Sequence, residues 1–137
     1  MLIKAQIAME YLLILGITLI MLLPIFVIVY TYTTISDDQI SQRQALQIAR
    51  KIVDTAETVY YFGEPTKTTL ELEFPSNIKT AVVLPHTVLF VMETPVGDTD
   101  IFSDSQINLT GELPQGSGTY KLRIQALSNR VNISIVE

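Results

Sequence analysis

Residues 4–36 read KAQIAMEYLLILGITLIMLLPIFVIVYTYTTIS, and within them the 26 residues from Tyr11 to Ser36 carry no charge. As a helix rising about 1.5 Å per residue, that run exceeds the roughly 20 residues needed to cross a bilayer core. The chain reads as membrane-anchored. Tyr11, Tyr30 and Tyr32 stand near the two ends of the run, where amphipathic rings favour the headgroup level. Lys4 precedes the run and Asp37-Asp38 follow it, a bias that places the N-terminus in the cytoplasm and the C-terminal part outside. A cleaved secretory peptide fits less well, because its apolar core is shorter and Thr33-Thr34-Ile35-Ser36 is a poor small-x-small site.

Glu10 lies directly against the apolar run, with no cation at helical spacing inside it. A carboxylate is costly in a membrane helix and less so at an interface, so it reads either as a water-facing interfacial residue or as a functional one. Its neighbours bear on that choice. Lys4-Ala5-Gln6-Ile7-Ala8-Met9-Glu10-Tyr11-Leu12 resembles the start of archaeal type IV pilin-like precursors with a class III signal peptide. That family has a short basic leader, a small residue at the cut, glutamine as first mature residue and glutamate as fifth; Glu10 is fifth from Gln6. Ala8 stands where serine is common and Ile14 where leucine is common. The resemblance implies cleavage between Ala5 and Gln6 by a prepilin peptidase. It further implies assembly in which Glu10 meets the new amino group of Gln6 on a neighbouring subunit, so that neutralising a poorly solvated carboxylate selects one axial stagger.

The 101 residues from Asp37 onward suit a single small domain. They hold 13 acidic and 8 basic residues, leaving no basic face for nucleic acid. No cysteine is present, so stability rests on packing rather than disulfides.

Pro24 interrupts the apolar segment and cannot donate to the carbonyl of Ile20, which predicts a kink or loosening there; Gly16 is a second soft point. From Asp37 to Phe62 the pattern turns amphipathic. Ala45, Ile48, Ala49, Ile52, Val53, Ala56, Val59 and Tyr60 recur at three- and four-residue steps. Although Ser36 or Asp37 could cap a separate helix, no glycine or proline divides the two segments, so one rod of roughly 85 Å from Gln6 to Phe62 is expected. Gly63-Glu64-Pro65 should end it.

Beyond Gly63 the period falls to 2, as in Leu70, Leu72 and Phe74, in Tyr120, Leu122, Ile124 and Ala126, and in Val131, Ile133 and Ile135. Ala81–Leu84 and Val88–Met92 are denser runs suited to central strands covered on both faces. A further strand or broken pair spans Ile101 to Leu113, with Ile107 and Leu109 inward and Asn108 and Thr110 outward. Turns are expected at Pro75-Ser76-Asn77, Pro85-His86, Pro95-Val96-Gly97-Asp98, Pro114 to Gly118 and Ser128-Asn129. The fold class is α+β, a long helix on about six antiparallel strands forming a sheet or small sandwich. The organisation is a leader over 1–5, a transmembrane and assembly helix over 6–36, an amphipathic helix over 37–62 and an extracellular β-domain over 63–137.

Chemistry is sparse. His86, the single histidine, has no nucleophile motif to serve, and Asp98-Thr99-Asp100 with Asp104 fails the EF-hand pattern because Phe102 occupies the third ligand position; the group reads as a solvated acidic loop. Glu71 and Glu73 read as an exposed strand face. No cofactor, metal or catalytic residue is expected. Asn108-Leu109-Thr110 and Asn132-Ile133-Ser134 are candidate N-glycosylation sites, although such triplets also arise by chance.

With the resemblance, these readings describe a non-enzymatic, single-pass subunit of a pilus-like filament. Its expected partners are the bilayer, the peptidase and copies of itself. The alternatives are a permanently anchored accessory protein of adhesin or stator type, and a tethered enzyme or binding module, which would need a cleft with convergent polar groups.

Overall fold

The structure, a computed structural model, describes the backbone of residues 2–95 and 97–136 and the side chains of those residues except 2–5 and 34–36. The basic leader's side chains, the Ser36 cap and the Val96 turn position therefore lie outside the described residues. Helix α1 runs Leu2–Phe62 and is followed by seven strands. The chain divides into two compact units, residues 1–37 and 38–137.

In the first unit α1 continues as α-helix through Pro24. Near the N-terminus the helix is long and apolar enough to cross a membrane.

In the second unit the α1 residues predicted for the buried stripe are the ones that pack. Ala45, Ile48, Ala49, Ile52, Val53, Ala56 and Val59 are buried in one core cluster with the strands, and Tyr60 is packed at its margin. Alanines at the contact let a helix backbone approach its neighbours closely, while Ile52 supplies the bulk. The helix ends as the sequence requires: Gly63 takes a positive φ of 75° and its N–H donates to the carbonyls of Val59 and Tyr60 at 3.2 and 3.0 Å, satisfying last-turn acceptors.

The strands are β1 (Lys67–Phe74), β2 (Ile78–Leu84), β3 (Thr87–Thr94), β4 (Gly97–Asp104), β5 (Leu109–Gly111), β6 (Gly118–Leu127) and β7 (Arg130–Val136). They form a four-stranded sheet in the order β1-β6-β7-β5 and a three-stranded meander β2-β3-β4. The strand count, seven among the described residues, is one above the expected six, and one pairing differs in kind. β5 lies parallel to β7, whereas all neighbours were expected to be antiparallel. A long return between β5 and β7, through β6, supplies the reversal that a parallel pair needs.

Alternation works as anticipated through most of β1, β6 and β7, where Leu72, Phe74, Leu122, Ile124, Ala126, Val131 and Ile133 are buried, but Ile135, expected on the same phase, is exposed near the end of β7. Phe74 meets Phe90 and Tyr120 edge-to-face at centroid distances of 5.6 Å, tying the two sheets together. Such ring pairs add about 0.5–1.5 kcal/mol beyond area burial. The dense runs behave differently from expectation: Val88, Phe90 and Met92 of β3 are buried, but Val82 and Leu84 of β2 are exposed, because only one face of this sheet meets the core.

The free edge of β2 is closed by a side chain. The Gln115 amide accepts the Ala81 N–H at 3.0 Å and donates to the Ala81 carbonyl at 2.6 Å, which are the two bonds a neighbouring strand residue would make. Gly111 is fixed by close approach: φ is 129°, and a Cβ there would fall 1.9 Å from the Ile133 carbonyl oxygen.

Candidate assembly surface and sites on the head

The first unit presents its side chains outward. Every residue from Gln6 to Thr33 is exposed apart from half-buried Gly16, and these residues are almost all apolar. The threonine hydroxyls among them are bonded within the helix. Thr18 donates to the Ile14 carbonyl at 2.8 Å, and Thr31 and Thr33 donate to the carbonyls of Val27 and Val29, each at 2.9 Å. A helix that must sit in hydrocarbon needs its polar groups satisfied internally, and these three threonines meet that need. Gln6 and Glu10 are both exposed and stand four residues apart, thus on one face of the helix. Pro24 lies fourteen residues beyond Glu10 within the same exposed stretch.

On the second unit the chemistry-bearing residues are scattered. Glu71 and Glu73 line an open cleft of about 530 Å³ together with Lys51 and Gln47. His86 is elsewhere, in the β2–β3 turn, where its Nδ1 lies 3.2 Å from the Ile107 carbonyl and its own carbonyl accepts the Ser105 N–H at 2.7 Å. These contacts make it a brace between two loops. Glu71, Glu73 and His86 do not converge. No group of His, Asp and Glu placed to hold a metal ion occurs among the described residues.

The acidic segment is not a loop. Asp98, Asp100 and Asp104 sit on β4, on its exposed phase. Asp98 accepts a 2.6 Å bond from Lys79, and Asp104 accepts one from the Thr87 hydroxyl at 2.8 Å. The hydrogen bond to Asp98, reinforced by that carboxylate's charge, raises the Lys79 pKa above its ordinary 10.5. Turn-forming residues on an edge strand imitate a loop in sequence, which is why the expected strand began only at Ile101 whereas β4 starts at Gly97.

Asn108 is exposed immediately before β5, while Asn132 is half-buried within β7 and flanked by Gln125 and Thr110 in the register. Cleft-lining residues around Asn108 include Arg130 and Glu64 in a space of about 630 Å³. Three features escaped the sequence reading: the Glu57 carboxylate that grips the β4–β5 connection, the Gln115 edge closure and the exposed apolar row on β2-β3-β4. Only the last had a signal, the density of aliphatic residues in β2. Comparison of the chain with protein-family models, curated proteins and solved structures returned no match.

Proposed function

We infer that this chain is a structural, non-enzymatic subunit of an archaeal type IV pilus-like surface filament, cleaved before Gln6 and assembled through its N-terminal helix. The carrying observation is the exposed, predominantly apolar surface from Tyr11 to Thr33, broken in exposure only at Gly16 and headed by the one acid at Glu10. Such a surface is unfavourable in water and suits either lipid or the flanks of like helices. An acyl-chain environment alone gives Glu10 no partner. The amino group released by cutting between Ala5 and Gln6 gives it one on a neighbouring copy, and Pro24 loosens the helix where packing requires adjustment. Before assembly the chain spans the cell membrane once with its N-terminus cytoplasmic; afterwards the β head coats the filament.

N-terminal sequencing of the protein recovered from cell membranes and from sheared surface filaments tests this reading. A start at Gln6 in the filament fraction is the expected result. A start at Met1 or Leu2, with the protein confined to membranes, overturns it in favour of a permanently anchored accessory protein.

A further inference from the structure

The outer face of β2-β3-β4 is uncovered, apolar in its middle and acidic along one side. Cross-strand register places Val82, Leu89 and Phe102 in a single row, and Phe102, Leu84 and Val82 are 57, 42 and 37% exposed. Asp100 and Asp104 flank Phe102 on the same exposed phase of β4; Lys79 is already held by Asp98, and Arg43 of α1 borders the open hollow that Asp100 and Phe102 line. The outer face of the four-stranded sheet is mixed but carries more cations than acids, with Lys67, Lys121, Arg123 and Arg130 set beside Glu71 and Glu73. Around the centre of β6, exposed Lys121 and Arg123 project from the phase opposite the buried Leu122 and Ile124, with Lys67 nearby on β1 and small Ser134 beside Arg123 on β7. Glu71 partners Lys121 in the register, whereas Arg123, flanked by Thr69 and Ser134, has no acid directly across from it, as is also true of Lys67 beside Gln125.

We propose that the β2-β3-β4 face of one head docks on the β1-β6-β7 face of a second copy of this chain, with Phe102 seated over Ser134 and Asp100 against Arg123. The proposal rests on the filament reading for the setting in which copies meet. Charge favours the pairing: two meander faces would set Asp100 and Asp104 against like charges, whereas the cation-richer face offers Arg123 to Asp100 and keeps the apolar row covered. Because the two faces differ, the contact is heterologous. Each added copy offers a fresh face of either kind, so the contact propagates rather than closing into a dimer.

The chain has no cysteine, so engineered thiols report contacts without background. Full-length Phe102→Cys and Ser134→Cys chains, each differently tagged, are co-expressed in native membranes and oxidised. Mixed 102–134 disulfides are expected, and a ladder of oligomers from the doubly substituted chain. Adding Asp100→Lys to the first or Arg123→Glu to the second should each cut crosslinking by on the order of tenfold, and combining the two should restore it. Absence of mixed disulfides, predominance of 102–102 links, or insensitivity to both charge changes overturns the proposal. Mixed links in a chain that is never cut before Gln6 uphold the docking and sink the filament reading; filaments that lack these links do the reverse.

Discussion

Glu57 on the helix accepts the backbone N–H of Gln106 on its Oε1 at 2.9 Å, and the same oxygen accepts the Ser105 hydroxyl at 3.3 Å. Ser105 in turn accepts the Ile107 N–H at 3.3 Å. One carboxylate therefore organises the connection between the meander and the four-stranded sheet. Glu57→Ala should lower the stability of residues 38–137, a compact unit with its own core, by about 1–3 kcal/mol, the range for stranding such donors. Glu57→Gln keeps an acceptor and should cost less. Urea titration gives the stability, and hydrogen exchange at residues 105–107 should accelerate in the alanine variant alone.

Gly111→Ala faces both a positive φ and the Ile133 carbonyl. Strain of this kind is on the order of 1–3 kcal/mol. The expected outcome is a lower melting temperature, with faster exchange at the Glu112 N–H, which donates to Ile133.

Replacing Glu10 by Ala should leave membrane insertion intact, since it removes a charge from the margin of an apolar helix. Filaments should be lost or shortened. Carbonate extraction and electron microscopy of sheared material check the two halves; filaments of normal number and length would remove Glu10 from assembly.

Of the two sequons, Asn108 is the one exposed outside a strand, whereas Asn132 is held within β7. Mass spectrometry of the native protein should find any N-glycan on Asn108, and Asn108→Gln should abolish the added mass while Asn132→Gln leaves it. A glycan carried on Asn132 alone would contradict this ordering.

The Lys79–Asp98 pair should matter little in salt and have a definite pH dependence. Because the folded-state pKa of Lys79 is raised, the pair's contribution is complete below 10.5 and disappears as pH rises through the raised value. Any difference in melting temperature between the native chain and Lys79→Met should close over that interval.

Local order was readable from the chain and long-range order was not. The helical stripe through Ile48, Ile52 and Val59 and the strand phases of Leu72, Ile124 and Ile133 follow from period alone, since each side chain's direction is set by its own backbone. Pairing of Lys67 with Gln125, or the parallel step of Leu109 beside Val131, depends on loop closure and shared core volume, which no local pattern encodes. The first half of β4, before Ile101, was obscured because its aspartates and glycine are the residues of turns. Glu57 looked like any other polar position on the solvent side of the helix. Gln6, Glu10 and Pro24 were conspicuous only because they interrupt an otherwise uniform stretch.

The amide of Gln115 has an implication for how the head avoids sticking. By occupying the hydrogen-bonding groups of Ala81, it denies stray chains a template at that margin of the meander. Shortened to alanine, the same margin would be left with an unmatched donor and acceptor, inviting strand exchange between heads and disordered clumping at high local concentration.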